Sequence, residues 1–168
     1  MTRLSPRQAY AAVAALCVAF IAYALYLQFF EDLDPCPLCI LQRYAFVLVA
    51  VFAALGALLP APRAGQILGS LALLSALLGA GLAAWHVKLQ WFPPEIGSCG
   101  PGLTYLILEL PLARALPRIF QGGGDCTLID WSFLGLSIPA WAFVWFAIFA
   151  IVLAVAVRKA IRKGAPGR

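Results

Sequence analysis

The chain has 168 residues, of which 64% are hydrophobic and 11% charged, with a formal net charge of +5. Soluble domains carry about 25% charged residues, so this composition excludes an ordinary soluble enzyme and places the chain in a bilayer. The length suits about one domain, and any activity must be built from helix ends and loops.

The first apolar stretch covers about 9-30, behind Arg3 and Arg7. An Ala22-Tyr23-Ala24 triplet inside it raises the option of a cleaved signal peptide, whose apolar region runs about 7–15 residues. The apolar run here continues past the triplet to Phe30, and it is read as the first membrane span. Cys17, in its middle, reads as a small buried apolar residue and is assigned no chemistry. A short loop at about 31-39 holds Cys36 and Cys39, and spans over about 40-59 and 65-86 follow on either side of Arg63. Each apolar stretch is long enough to cross a hydrocarbon core, which needs about 20 helical residues.

A long loop at about 87-136 holds Cys99 and Cys126. Its segment 103–120 is interrupted by Pro111 and Pro117 yet too apolar to stand free in water, which predicts short helices lying along the membrane interface. The run Gly122-Gly123-Gly124 precedes Cys126 and reads either as a mobile backbone suited to disulfide exchange or as an ordinary turn. The last span covers about 137-157. The expectation is a single all-α membrane domain over 1-168, a bundle of four transmembrane helices.

Charge orients the bundle, because short loops rich in Lys and Arg stay in the cytoplasm. One side carries Arg3, Arg7, Arg63, Arg158, Lys159, Arg162, Lys163 and Arg168, and the other only Lys88, Arg114 and Arg118. Both termini are therefore expected in the cytoplasm and both cysteine-bearing loops on the exported side. The basic residues flank spans and form no soluble surface on which a nucleic acid could dock.

Cysteines on an exported face occupy a compartment where disulfides persist. A bond between Cys36 and Cys39 would restrict little chain, and reactive Cys-x-x-Cys pairs commonly have lowered thiol pKa values, so this pair favours redox chemistry or metal binding over stapling. In a helix that begins near Cys36, Cys39 and Arg43 share a face. The guanidinium and the helix N-terminus then both favour a thiolate, and an arginine inside the apolar end of a span is itself a functional flag. Its bland alternative is snorkelling to the headgroups. His86, the only histidine, closes the third span at the same boundary, where an ordinary headgroup-level residue is the competing reading.

The run Cys36-Pro37-Leu38-Cys39-Ile40 with Arg43, then His86 with Leu89-Gln90 and Pro93-Pro94 ahead of Cys99, then Gly124-Asp125-Cys126, Trp131-Ser132-Phe133-Leu134-Gly135-Leu136 and Pro139-Ala140-Trp141, resembles the DsbB family. These are bacterial inner-membrane proteins that reoxidise the periplasmic dithiol oxidase DsbA using quinone. The resemblance covers nearly the whole chain. It implies a Cys99-Cys126 disulfide attacked at Cys99 by reduced DsbA, a relay from Cys126 to Cys36 that releases Cys39, and ubiquinone or menaquinone as acceptor near Arg43 and His86. It also implies a DsbA-like thioredoxin-fold partner and a place in the bacterial inner membrane with the redox loops facing the periplasm. The Pro37-Leu38 pair and the shape of the long loop depart from the best-known member.

Other readings of the same cysteines compete. Four thiolates from Cys36, Cys39, Cys99 and Cys126 can make a closed tetrahedral zinc site. A scaffold in which disulfides merely brace the long loop accounts for Cys99 and Cys126, with roughly 3–4 kcal/mol from closing that loop. It leaves Cys36, Cys39 and Arg43 unexplained. A specialised paralogue serving another thiol partner is a further possibility within the same enzyme class.

Overall fold

The computed structural model describes residues 5–93, 109, 114, 116, 120 and 123–164. It contains four helices long and apolar enough to cross a membrane: α1 (Pro6–Phe30), α2 (Pro37–Leu58), α3 (Pro62–Trp91) and α4 (Ile138–Gly164). Among the described residues between α3 and α4 lies one small hairpin, β1 (Ser132–Phe133) and β2 (Leu136–Ser137). The architecture is the expected all-α membrane bundle. The short interfacial helices expected over 103–120, and Cys99, fall mainly or wholly outside the described residues.

Proline sets three of the helix starts. Pro6, Pro37 and Pro62 each open a helix at its first position, where the missing N–H costs nothing and the fixed φ is already helical. At α1, Ser5 and Gln8 complete a reciprocal cap: the Gln8 N–H donates to the Ser5 hydroxyl at 3.3 Å and the Ser5 N–H to Gln8 Oε1 at 2.9 Å. At α2 the capping residue is Cys36, whose sulfur accepts the Cys39 N–H at 3.4 Å. The helix geometry therefore begins at the first cysteine of the pair.

The bundle runs up and down. Arg7, at the start of α1, donates to the carbonyls of Ala57 (2.8 Å) and Leu58 (3.3 Å) at the end of α2, placing a cation against the negative end of that helix. Gln66 near the start of α3 donates to Ala160 near the end of α4. Cys36, His86 and Ser137 consequently gather at the opposite end. The most extensive helix contacts are α3 with α4 and α2 with α3, followed by α1 with α2.

Helices in lipid gain little from hydrophobic exclusion and associate through close packing, which small interface residues permit. On α3, Ala72, Ala76 and Ala83 are fully buried, and Gly79 on the same stripe admits the ring of Phe146, which a Cβ there would meet at 2.5 Å. Phe146 in turn stacks on Phe46 with centroids 4.1 Å apart. Gly69 performs the same service for Tyr10, with 2.3 Å from the added Cβ to the hydroxyl.

The hairpin was not anticipated. Its register pairs Ser132 with Ser137 and Phe133 with Leu136. The two turn residues, Leu134 (φ 52°) and Gly135 (φ 78°), both have positive φ, the pattern of a type I′ turn, for which leucine is an unusual first residue. The Trp141 indole N–H donates to the Phe133 carbonyl at 3.0 Å and fastens the hairpin to α4.

Candidate functional site

The cysteine pair is shaped by the start of α2. Cys36 is buried as the helix cap, and Cys39, one turn on, is half-buried. The Cys36 thiol donates to Cys39 Sγ at 3.1 Å. That bond, burial and the proximity of Cys39's charge push the Cys36 thiol above its ordinary range, because each disfavours a charge on Cys36 itself. Both are free thiols, as is Cys17, which is fully buried in the bundle core among apolar neighbours.

Cys126 is disulfide-bonded and fully buried, in one cluster with Cys36 and Leu38. The segment that carries it is docked on the short loop by Gly124, whose N–H donates to the Pro35 carbonyl at 3.4 Å. A Cβ at Gly124 would stand 2.6 Å from the Asp34 carbonyl oxygen and 3.3 Å from the Cys36 nitrogen. Beside the two readings of the glycine run, Gly124 has a further role: it serves close approach of two backbones beside Cys36.

His86 is only 2% exposed, which removes the headgroup reading. Its Nε2 lies 3.6 Å from Cys36 Sγ and its Nδ1 lies 3.0 Å from the Gln42 amide nitrogen. Arg43 is 7% exposed and donates to Gln28 Oε1 at 2.7 Å and to the Ala24 carbonyl at 3.4 Å. This anchorage to α1 is not the posture of a snorkelling side chain, whose head reaches water.

These groups open on one cavity of about 560 Å³ between the helix ends and the segment before α4. Cys36, Cys39, Gln42, Arg43 and His86 supply polar or sulfur atoms, and Phe20, Trp131, Trp141 and Trp145 supply aromatic wall. The structure thus brings four of the six residues singled out in the sequence to one cavity, sets Cys126 against Cys36, and does not describe Cys99.

Three glutamines escaped the sequence reading as site residues. Gln28 holds Arg43 and Gln42 holds His86. Gln90 accepts from the Ser137 hydroxyl at 2.6 Å and donates to the Leu128 carbonyl at 3.2 Å, tying α3 to the loop and to β2. The available signal was the polar amide within an apolar helical run, a default mark of function in membrane helices.

Such a fold and site define a class: a multi-pass membrane protein that keeps a Cys-x-x-Cys dithiol at a helix start beside a disulfide-bonded cysteine. The family model described as Disulfide bond formation protein DsbB matches residues 6–156. The chain is 47% identical over 162 residues to the Disulfide bond formation protein B of Acidovorax sp. (strain JS42), covering 96% of this chain and 92% of the relative. It is 49% identical over 161 residues to that of Polaromonas sp. (strain JS666 / ATCC BAA-500), covering 94% of each, and 48% identical over 147 residues to that of Azoarcus sp. (strain BH72), covering 87% and 89%. The chain belongs to the DsbB family of disulfide bond formation proteins, which makes it an oxidoreductase of disulfide formation. A zinc site built from all four cysteines fits poorly, since Cys126 is already disulfide-bonded.

Proposed function

We propose that this protein reoxidises a DsbA-like dithiol oxidase and delivers the electrons to membrane quinone. The observation that carries the proposal is the line of sulfurs leading to a cavity: disulfide-bonded Cys126 packs in one cluster with Cys36, Cys36 lies 3.1 Å from Cys39, and Cys39 opens with Arg43 on the aromatic cavity.

In the resting enzyme of this scheme both Cys99-Cys126 and Cys36-Cys39 are disulfides. A partner thiolate attacks Cys99 Sγ, breaking the Cys99-Cys126 bond and leaving Cys126 as a thiolate. Cys126 attacks Cys36, which forms a Cys126-Cys36 bond and expels Cys39 as a thiolate. The partner's second thiolate then displaces Cys99 and leaves as an oxidised disulfide. Cys99 reforms its bond to Cys126 and frees Cys36. The net result is one partner dithiol oxidised and the Cys36-Cys39 pair reduced by two electrons.

The cavity suits a planar apolar acceptor. Its volume lies in the range of ligand pockets, about 300–1,000 Å³, and its aromatic walls complement a flat ring. Arg43 would hold a carbonyl oxygen of the ring and Cys39 would face it, with His86 behind Cys36. A bound quinone supplies the two-electron acceptor that returns the pair to a disulfide. Anchored by Gln28, the Arg43 guanidinium meets developing negative charge without reorganising.

We place both termini in the cytoplasm and the cysteine loops in the periplasm, with the protein in the bacterial inner membrane. Support comes from Arg7, Arg63, Arg158, Lys159 and Arg162 at one end of the bundle and the positive-inside bias. The test combines purified protein, a reduced thioredoxin-fold oxidase and a soluble quinone. Quinone reduction matched mole for mole by dithiol loss is expected, and thiol oxidation without quinone reduction overturns the proposal.

A further inference from the structure

The reduced pair has a third partner that disulfide chemistry does not require. The ligand atoms of Cys36, Cys39 and His86 all lie within 4.8 Å of one another. Zn–S bonds of about 2.3 Å and Zn–N bonds of about 2.0–2.1 Å at a tetrahedral centre hold sulfur and nitrogen about 3.6 Å apart and two sulfurs about 3.8 Å apart. Cys36 Sγ and His86 Nε2 already stand at 3.6 Å. The two sulfurs, at 3.1 Å, need to open by about 0.7 Å to reach the tetrahedral spacing.

We propose that the reduced Cys36-Cys39 dithiol and His86 form a binding site for a thiophilic divalent cation of the zinc class. Binding replaces two S–H bonds with two metal–sulfur bonds and releases two protons, with no change of oxidation state. The dication and two thiolates sum to zero charge, which suits a site where Cys36 is 4% and His86 2% exposed.

The surroundings of His86 complete the argument. Metal-bound histidines hold their second ring nitrogen in a hydrogen bond that fixes ring and tautomer, and here Nδ1 is engaged by buried Gln42 at 3.0 Å. Turning the Gln42 amide by 180° puts its oxygen where Nδ1–H can donate, and the ion then takes the Nε2 lone pair in place of the hydrogen bond the ring makes with the Cys126 backbone. The Cys39 N–H directed at Cys36 Sγ stabilises the thiolate that the ion requires. Three protein ligands leave one tetrahedral position open, as in catalytic rather than structural zinc sites. An ion so held prevents the pair from closing to a disulfide, so the cation inhibits by trapping the reduced enzyme. The site rests on ligand geometry alone and stands or falls apart from the quinone reading.

The test uses full-length protein in detergent, reduced, freed of reductant without air, and titrated with Co²⁺ as a visible probe. Expected are tetrahedral thiolate-type absorption at one Co²⁺ per chain, displacement by Zn²⁺, and no binding once the Cys36-Cys39 disulfide is formed. Gln42→Leu should weaken binding about tenfold, His86→Ala and His86→Gln more, and Cys17→Ala not at all. Absence of tetrahedral bands, wild-type affinity in both His86 variants, or undiminished binding in a Cys36→Ser, Cys39→Ser double variant overturns the site.

Discussion

Arg43 on α2 and Gln28 on α1 meet at 2.7 Å, the guanidinium donating to the side-chain carbonyl. The bond fixes a buried cation at the edge of the cavity that Cys39 shares, and hydrogen bonds to charged groups contribute about 1.5–3 kcal/mol. Gln28→Leu should therefore raise the quinone KM about tenfold, since about 1.4 kcal/mol is a factor of ten. Arg43→Lys should cost more, because an ammonium cannot reproduce the planar fork. Thiol exchange between Cys126 and Cys36, followed by gel shift of alkylated species, should be unaffected in Gln28→Leu.

Within the reduced pair, Cys36 is the hydrogen-bond donor and the more buried thiol, and that bond and its burial disfavour its thiolate. Iodoacetamide attacks thiolates, so peptide mass spectrometry should find Cys39 modified first. With the Cys36 thiol pushed above the ordinary value of about 8.5, raising the pH from 7 to 9 should leave Cys36 alkylation slow. Rapid modification at Cys36 across that window contradicts the assignment.

Gly124→Ala places a methyl group 2.6 Å from the Asp34 carbonyl oxygen. Backbone cannot give way as a flexible side chain can, so the docked segment must shift, at a cost of about 1–3 kcal/mol. Transfer between Cys126 and Cys36 should slow by about tenfold or more, with quinone reduction by a chemically reduced Cys36-Cys39 pair retained. Equal slowing of both half-reactions points instead to general misfolding.

Two glycines of α3 offer a matched test of bundle packing. A Cβ at Gly79 would enter the Phe146 ring, whereas at Gly81 it would meet nothing within 4 Å. Gly79→Ala should lower thermal stability in detergent by about 1–3 kcal/mol. Gly81→Ala should be neutral or raise stability by up to about 1 kcal/mol through helix propensity.

Redox titration of each cysteine pair supplies a further check. DsbA of the bacterial periplasm lies at about −120 mV, whereas structural disulfides of secreted proteins lie below about −300 mV. The gap of about 180 mV corresponds to about 8 kcal/mol, too much for a staple-like bond to oxidise the partner. At least one pair should therefore titrate well above the structural range, or turn over only when quinone is supplied. Two staple-like potentials together with no quinone turnover contradict the proposed function.

The bundle was legible in the chain because a bilayer imposes a simple rule: about 20 apolar residues per span. Four such stretches need no partner to be recognised, whereas the exact helix starts at Pro6, Pro37 and Pro62 emerge only in the structure. Cys36, Cys39, Arg43 and His86 stood out one by one for similar reasons, each being a reactive or polar group at an apolar boundary. Gln28, Gln42 and Gln90 did not, because an amide's role depends on which cation, ring or hydroxyl it meets. The sequence reads Gly124 as mobile backbone or as an ordinary turn, and its close approach to the carbonyl of Asp34, from a loop distant in sequence, shows only in the structure.

By itself, then, the sequence determined the solvent, the number of spans and the chemistry of the individual side chains, all properties of local composition. Only the tertiary structure decided that His86 faces Cys36 across fifty residues of chain, that Arg43 is tied to α1, and that Cys126 packs beside Cys36. Those relationships follow from how Gly69 and Gly79 let α3 approach its neighbours and from where Gly124 docks the second loop. They are distances between elements, set by packing, and no local pattern encodes them.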